Sequence, residues 1–241
     1  MAVLSRVMQG SVALLAATSA SASPIERRAV INHTDVLGFP EAVPGGSLGA
    51  VYEAYKPFLK VVNGCVPFPA VDADGNTSGG LKPTGGSSDD CSSSPGQIYA
   101  RAGTYNGRYG VMYSWYFPKD EPSSGLGHRH DWEGVVVWLA SPDLTSVDNI
   151  LAVCPSSNGD WSCSTADYPL SGTSPLIQYK SNWPSQHGLE ATSTIGGQQP
   201  LVAWESLPSP ARDSLSTTSF EDVSVPFIDA NLETNLAKAT F

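Results

Sequence analysis

Val111-Met112-Tyr113-Ser114-Trp115-Tyr116-Phe117 and Gly134-Val135-Val136-Val137-Trp138-Leu139-Ala140 enclose the heptad Gly127-His128-Arg129-His130-Asp131-Trp132-Glu133. In the first run Val111, Tyr113, Trp115 and Phe117 alternate with Met112, Ser114 and Tyr116, which is the period of a strand. The second run is continuously apolar and β-branched in its middle, and reads as a central strand. Five of the seven heptad side chains are ionisable, in a chain where 15% of residues are charged. Charge that dense beside a core strand points to convergence on a metal ion, a polar ligand or a reacting bond.

Outward from this unit the pattern stays strand-like. Ile98, Ala100 and Ala102 lead into the first run, and Asn149 to Val153, Pro175 to Lys180, Glu190 to Thr194 and Pro200 to Glu205 are further strand candidates between Gly, Pro, Ser and Asn clusters. The spacing of Leu48, Val51, Tyr55, Phe58 and Val62 predicts a helix over Ser47 to Val62, capped by Ser47 and kinked or ended by Pro57. Ile228 to Ala239 predicts a short terminal helix. Many short strands with a few helices predict a mainly β protein, a β-sandwich with peripheral helices. No internal repeat is visible.

The first residues read as a secretory signal. Arg6 supplies a positive start, Val12 to Ala17 a short apolar run and Ala20-Ser21-Ala22 a small-residue cleavage pattern, so residues 1–22 are expected to be removed. Arg27-Arg28 reads as a dibasic processing site closing a pro-segment over 23–28, the alternative being a charged linker; residues 29–241 then form one domain. Secretion accounts for the cysteines. Four of them, in an oxidising compartment, read as two disulfides. Of the three connectivities, Cys65–Cys91 with Cys154–Cys163 is favoured because each pair brackets its own turn-rich segment. No C-x-x-C pair supports a zinc site.

The formal charge is −10, and without residues 1–28 it is −12, from 10 basic and 22 acidic residues. Such a surface repels nucleic acid and anionic lipid headgroups. Asn32-His33-Thr34 and Asn76-Thr77-Ser78 are glycosylation sequons.

On a plain strand, Arg129, Asp131 and Glu133 share one face and His128, His130 and Trp132 the other. Asp131 and Glu133 then make a pair for a hard cation such as magnesium or calcium. The loop from Glu121 to Leu126 brings Asp120 across to them, and Gly125 and Gly127 let His128 turn toward the same place. The bland alternative is local pairing of Arg129 with Asp131 or Glu133 and a satisfied buried His130. No G-x-S-x-G or H-E-x-x-H is present.

Tyr113-Ser114-Trp115-Tyr116-Phe117-Pro118-Lys119-Asp120 followed by Gly127 to Glu133 resembles the signature of the necrosis- and ethylene-inducing peptide 1-like proteins, the NPP1 family. Ile31 to Asp35, Ser181-Asn182-Trp183-Pro184 with His187, Pro200 to Glu205 and Val225 to Asn231 resemble further family segments, so the likeness spans the mature chain. The first cysteine pair suggests the type 1 class; Cys154 and Cys163 depart from the general pattern.

The resemblance implies a β-sandwich similar to actinoporins and fungal fruit-body lectins. It implies a secreted, soluble, monomeric cytolysin and virulence effector, without enzymatic activity, that contacts plant plasma membranes peripherally and does not bind nucleic acid. Its partners would be glycosylinositol phosphorylceramide headgroups, with necrosis following permeabilisation. A divalent cation, Mg2+ or Ca2+, would be held by Asp120, His128, Asp131 and Glu133. Trp183 and His187 would contact membrane or sugar, with Gly127, Arg129, His130 and Trp132 supporting the motif. Some relatives with an intact heptad do not kill plant cells. A non-cytolytic carbohydrate-binding protein and a metal-dependent hydrolase stand as the other readings.

Overall fold

The computed structural model describes residues 28–182 and 186–241; the signal, Arg27 and Trp183 lie outside them. The strands are β1 (Val30–Ile31), β2 (Phe58–Val61), β3 (Thr77–Ser78), β4 (Ile98–Tyr105), β5 (Arg108–Ser123), β6 (Leu126–Leu139), β7 (Ile150–Ser157), β8 (Asp160–Trp161), β9 (Leu170–Ser171), β10 (Ser174–Asn182), β11 (Gln186–Ala191) and β12 (Leu201–Ala203). The helices are α1 (Ser47–Ala54), α2 (Ser209–Thr217) and α3 (Leu232–Lys238).

One mixed sheet runs in the order β12-β4-β5-β6-β7-β11-β10-β2, with β8 added to β7 and β9 to β10. The expected sandwich arises because this single sheet curls over onto itself. β5 and β10 are four strand steps apart, about 19 Å in a flat sheet at ~4.8 Å per step. Yet the rings of Phe117 on β5 and Tyr179 on β10 stack with centroids 3.8 Å apart. The bend lies in β7. Its first part pairs with β6 from Leu139 to Val135, and its end leaves β6 to meet β11 through Gly188 and Ser157.

The alternation in β5 is not an inside–outside alternation. Val111, Met112, Tyr113, Ser114, Trp115, Tyr116 and Phe117 are all fully buried, as for a strand covered on both faces. On one side Tyr116 packs on Trp132 and Phe220, and Trp132 on Tyr99 and Phe227. α3 covers the same side of the sheet further along: Leu236 is buried, and the Trp138 indole donates to the Ala239 carbonyl at 2.7 Å.

The N-terminal helix is shorter than its spacing predicts. It ends at Ala54, and Phe58–Val61 instead form β2, parallel to β10. Pro57 separates the two, since it can neither donate a helical hydrogen bond nor admit a helical residue before it. Ser47 is the first helical residue, and the cap position belongs to Gly46 at φ 82°. α2 was not expected. β11 begins at Gln186, before the predicted Glu190, and the terminal helix begins at Leu232.

Both disulfides, Cys65–Cys91 and Cys154–Cys163, pair as expected. The Gly/Ser-rich loop closed by the first is also tied to β5, because Lys119 donates to the Gly86 carbonyl at 2.9 Å.

Candidate functional site

The β5–β6 hairpin is tighter than the sequence suggests. Pairing persists to Ser123 and Leu126, so the loop is only Ser124-Gly125. Glu121 is buried and accepts from the Gly125 amide at 2.8 Å and from Lys119 at 2.5 Å. Gly127 has φ 117°, and a Cβ there would lie 2.0 Å from the Asp120 carbonyl oxygen. Only glycine fits this turn. It leaves Asp120 directly opposite His128 in the ladder.

A plain strand would alternate throughout; this one does not. His130 has φ 61°, in the left-handed region. Next to it, Gly80 faces both His130 and Arg129, at 2.7 and 2.8 Å from a Cβ built on it. Two successive side chains therefore leave on one side. Arg129 does not share a face with Asp131 and Glu133: it pairs with Glu221 at 3.1 Å and donates to the Gly79 carbonyl. The same break puts Asp120 and His128 on the side of Asp131, where alternation from Phe117 would have turned Asp120 away. His130 is a satisfied buried histidine. Its Nδ1 lies 2.6 Å from the Tyr116 hydroxyl, and burial, then Arg129 and His128, lower its pKa to about 4. Trp132 faces the aromatic core as expected.

The acidic groups are held from elements distant in sequence. The Tyr179 hydroxyl donates to Asp131 Oδ2 at 2.8 Å. Ser156 donates to Glu133 Oε2, and the Asn158 amide to Oε1 at 3.3 Å. His187 holds Asp120 twice, through its backbone amide at 3.0 Å and through Nδ1 at 2.5 Å. His187 was expected at a membrane or sugar contact. Its side chain is instead wholly buried and stacked on Tyr179, so it positions Asp120 from behind and does not reach the surface.

The charges oppose one another. Burial, then Asp120, push Asp131 up to about 7. Burial, then Asp131, raise Glu133 well above the carboxylate range. Burial, then Asp131 and Asp120, raise the Tyr179 hydroxyl likewise. His128 Nδ1 lies 2.7 Å from the His130 carbonyl, which can only accept, so Nδ1 carries the proton. Nε2 lies 3.7 Å from Asp120 Oδ2. Three buried carboxylates and an imidazole whose Nδ1 is fixed by a carbonyl are oxygen and nitrogen donors of the kind a hard cation takes, often through water. Among the described residues, no three His, Cys, Asp or Glu side chains gather closely enough to grip an ion directly. His128, Asp131 and Glu133 open into a cavity of about 500 Å³ whose far walls come from β8 and α3.

A family model described as necrosis inducing protein (NPP1) matches residues 49–239.

The chain belongs to the NPP1 family of necrosis-inducing proteins.

It is 47% identical over 222 residues to NLP effector protein 10 of Phytophthora capsici, covering 89% of this chain and 93% of that one. It is 44% identical to the necrosis-inducing protein NPP1 of Phytophthora nicotianae over 220 residues, 88% and 91% of the two chains. Among solved structures it is similar to NLPPya in complex with mannosamine (49% identity, TM-score 0.82, 88% of this chain and all of that one). It is also similar to the non-toxic HaNLP3 protein (36%, TM-score 0.81, 86% and 98%). The mainly β architecture is the toxin fold of this family.

Tyr179, Ser156 and Asn158 were missed by sequence reasoning. Ser156 and Asn158 leave no signal in a sequence; Tyr179 left one only as an apolar strand position.

Proposed function

We propose that this NPP1-family chain is a secreted cytolysin of plant membranes that recognises the sugar headgroups of glycosylinositol phosphorylceramides with the help of a divalent cation, then permeabilises the bilayer without catalysis. The observation that carries the reading is that His128, Asp131 and Glu133 line one cavity, with Asp120 buried beside His128 and Asp131. That NLPPya was solved in complex with mannosamine and with glucosamine supports a sugar ligand.

A bound Mg2+ or Ca2+ would supply positive charge where the chain has only buried negative charge. Asp120, His128, Asp131 and Glu133 would hold it, largely through water, as Mg2+ tends to be held. His187 holds the Asp120 carboxylate in place. Tyr179 orients Asp131, and Ser156 with the Asn158 amide orients Glu133. A chain at −12 is repelled by anionic lipid. Recognition through a sugar and a cation needs no basic surface, and the indole of Trp183 suits the membrane boundary.

Infiltration of the mature chain into eudicot leaves tests this. Wild type is expected to cause necrosis and Asp131→Asn, folded by circular dichroism, is expected to cause none. Full toxicity of that folded variant refutes the cation role.

A second reading is favoured by one finding. HaNLP3 has this fold and is non-toxic, so a non-cytolytic sugar-binding protein is the alternative; sugar binding without membrane leakage would establish it. Turnover of a glycan or ester would establish a metal-dependent hydrolase instead.

A further inference from the structure

Two glycosylation sequons, Asn32-His33-Thr34 and Asn76-Thr77-Ser78, belong neither to the acidic site nor to the cavity wall. The two disulfides fit an oxidising, secretory route, where such sequons meet the glycosylation machinery. The fold treats the two in opposite ways.

β1 ends at Ile31, and Asn32 to Asp35 form a turn closed by the Asp35 amide, which donates to the Asn32 carbonyl at 2.9 Å. His33 anchors it. Its ring is buried against Phe68, and its Nε2 lies 2.9 Å from the Asp90 carbonyl. Asn32 and Thr34, on either side of His33, are exposed. Asn32 Oδ1 accepts from the Thr34 amide and from the Thr34 hydroxyl, both at 3.0 Å. A backbone amide only donates, so Oδ1 faces the turn and Nδ2 points the other way.

Asn76 is tied at both ends of its carboxamide. Oδ1 accepts from the Ala29 amide at 3.0 Å, and Nδ2 donates to Asp72 Oδ2 at 2.9 Å. The same Asp72 carboxylate accepts from the Asn76 amide at 2.8 Å. α2 packs on the preceding residue: a Cβ at Gly75 would lie 2.7 Å from the Pro210 carbonyl oxygen and 2.8 Å from Ser214 Oγ. Ser78, the hydroxyl residue of this sequon, is buried, and its Oγ accepts from the Tyr116 hydroxyl at 3.0 Å. A sugar on Asn76 Nδ2 would have to stand where Asp72 already packs, and the loop could not close around it.

We propose that Asn32 carries an N-linked glycan in the secreted protein and that Asn76 stays bare. The donor is an oligosaccharide on a lipid diphosphate. On the nascent chain Asn32 Nδ2 bonds to the anomeric carbon and gives up a proton. The bond from that carbon to the diphosphate oxygen breaks, and the lipid diphosphate leaves. Folding then leaves the glycan at Asn32 outside the packed structure. Val30 and Leu37, 69% and 77% exposed, flank Asn32 in the sequence. A bulky, polar glycan between them masks apolar surface.

The test is peptide mapping by mass spectrometry of the full chain, secreted by yeast from its own first residues. A glycosidase that converts glycosylated Asn to Asp is expected to convert Asn32 and to leave Asn76 unconverted. Asn32→Gln and Thr34→Ala, exposed changes that each destroy the sequon, are expected to lose the whole gel-mobility shift that the enzyme removes from wild type. An unmodified Asn32 in the secreted protein, a converted Asn76, or a chain that never enters the secretory route overturns the proposal. None of these outcomes bears on the cation site, because Asn32 lies outside the cavity wall.

Discussion

Tyr179 donates its hydroxyl to Asp131 Oδ2 at 2.8 Å, although their strands, β10 and β6, are three steps apart in the sheet. The contact exists because the sheet curls, and the stack of Phe117 on Tyr179 is what fixes the ring in place. The acidic site is therefore assembled by the closure of the fold and not by the heptad alone.

Tyr179→Phe keeps the stack and removes the hydroxyl. Partners that orient a metal ligand are worth 10–100-fold in affinity, so Mg2+ binding by calorimetry is expected to weaken by about that factor, with the near-ultraviolet spectrum retained. An unchanged affinity would mean that Asp131 needs no orientation.

The metal-free protein should be destabilised by rising pH. Asp131 has its pKa raised from 3.8 to about 7 in the folded state. A raised pKa gives stability that is complete below the unfolded value and lost as the pH rises through the folded one. In chelator, Tm is expected to fall between pH 4 and 7, because Asp131 and Glu133 together outweigh His130, whose lowered pKa acts in the opposite sense, and saturating Mg2+ is expected to oppose that fall because a cation favours the ionised carboxylates. A Tm that rises through this window in chelator contradicts the arrangement.

Asp131→Asn removes one of the opposed buried charges and keeps an oxygen for Tyr179. The variant is expected to melt higher than wild type in chelator at pH 7 and to lose the stabilisation by Mg2+. Scanning calorimetry with and without Mg2+ reads both effects.

Gly127→Ala places a side chain at φ 117°, 2.0 Å from the Asp120 carbonyl oxygen before relaxation. Strain of this kind costs on the order of 1–3 kcal/mol. Urea unfolding is expected to show at least that loss, while Gly125→Ala, where a Cβ meets nothing within 4 Å, should be milder.

Breaking Cys65–Cys91 by double Cys→Ser substitution is expected to cost roughly 3 kcal/mol in the loop-entropy account. Cys154–Cys163 closes a shorter loop, with a sequence separation of 9 against 26, and its loss should cost less in urea unfolding.

The parts of the molecule legible in the sequence were those with a strong local period. Val111 to Phe117 and Gly134 to Ala140 announced β5 and β6, and two cysteine pairs bracketing loops announced the disulfides. Where a local period continued past a physical break, it misled. Phe58 and Val62 keep the helical spacing of Val51 and Tyr55, yet Pro57 stops the helix and Phe58–Val61 pair with β10. α2 was silent because Ser209–Thr217 offers only Ala211 and Leu215 as apolar positions beside Pro210. At the site, Asp120, His128, Asp131 and Glu133 were readable as a cluster. Arg129 was placed on the wrong face because the left-handed turn at His130 has no signature in a non-glycine residue. His187 was read as a surface contact because nothing local reveals that the curl of the sheet would bury it against Asp120.

In the proposed function, a cation held beside Asp131 and Glu133 lets the chain recognise a plant sphingolipid and breach its membrane. Dye release from vesicles containing glycosylinositol phosphorylceramide, with and without chelator, tests it most directly. Release is expected to stop in chelator, to return with Mg2+ or Ca2+, and to be absent from vesicles lacking that lipid. Equal release in chelator, or from vesicles without the lipid, would contradict it.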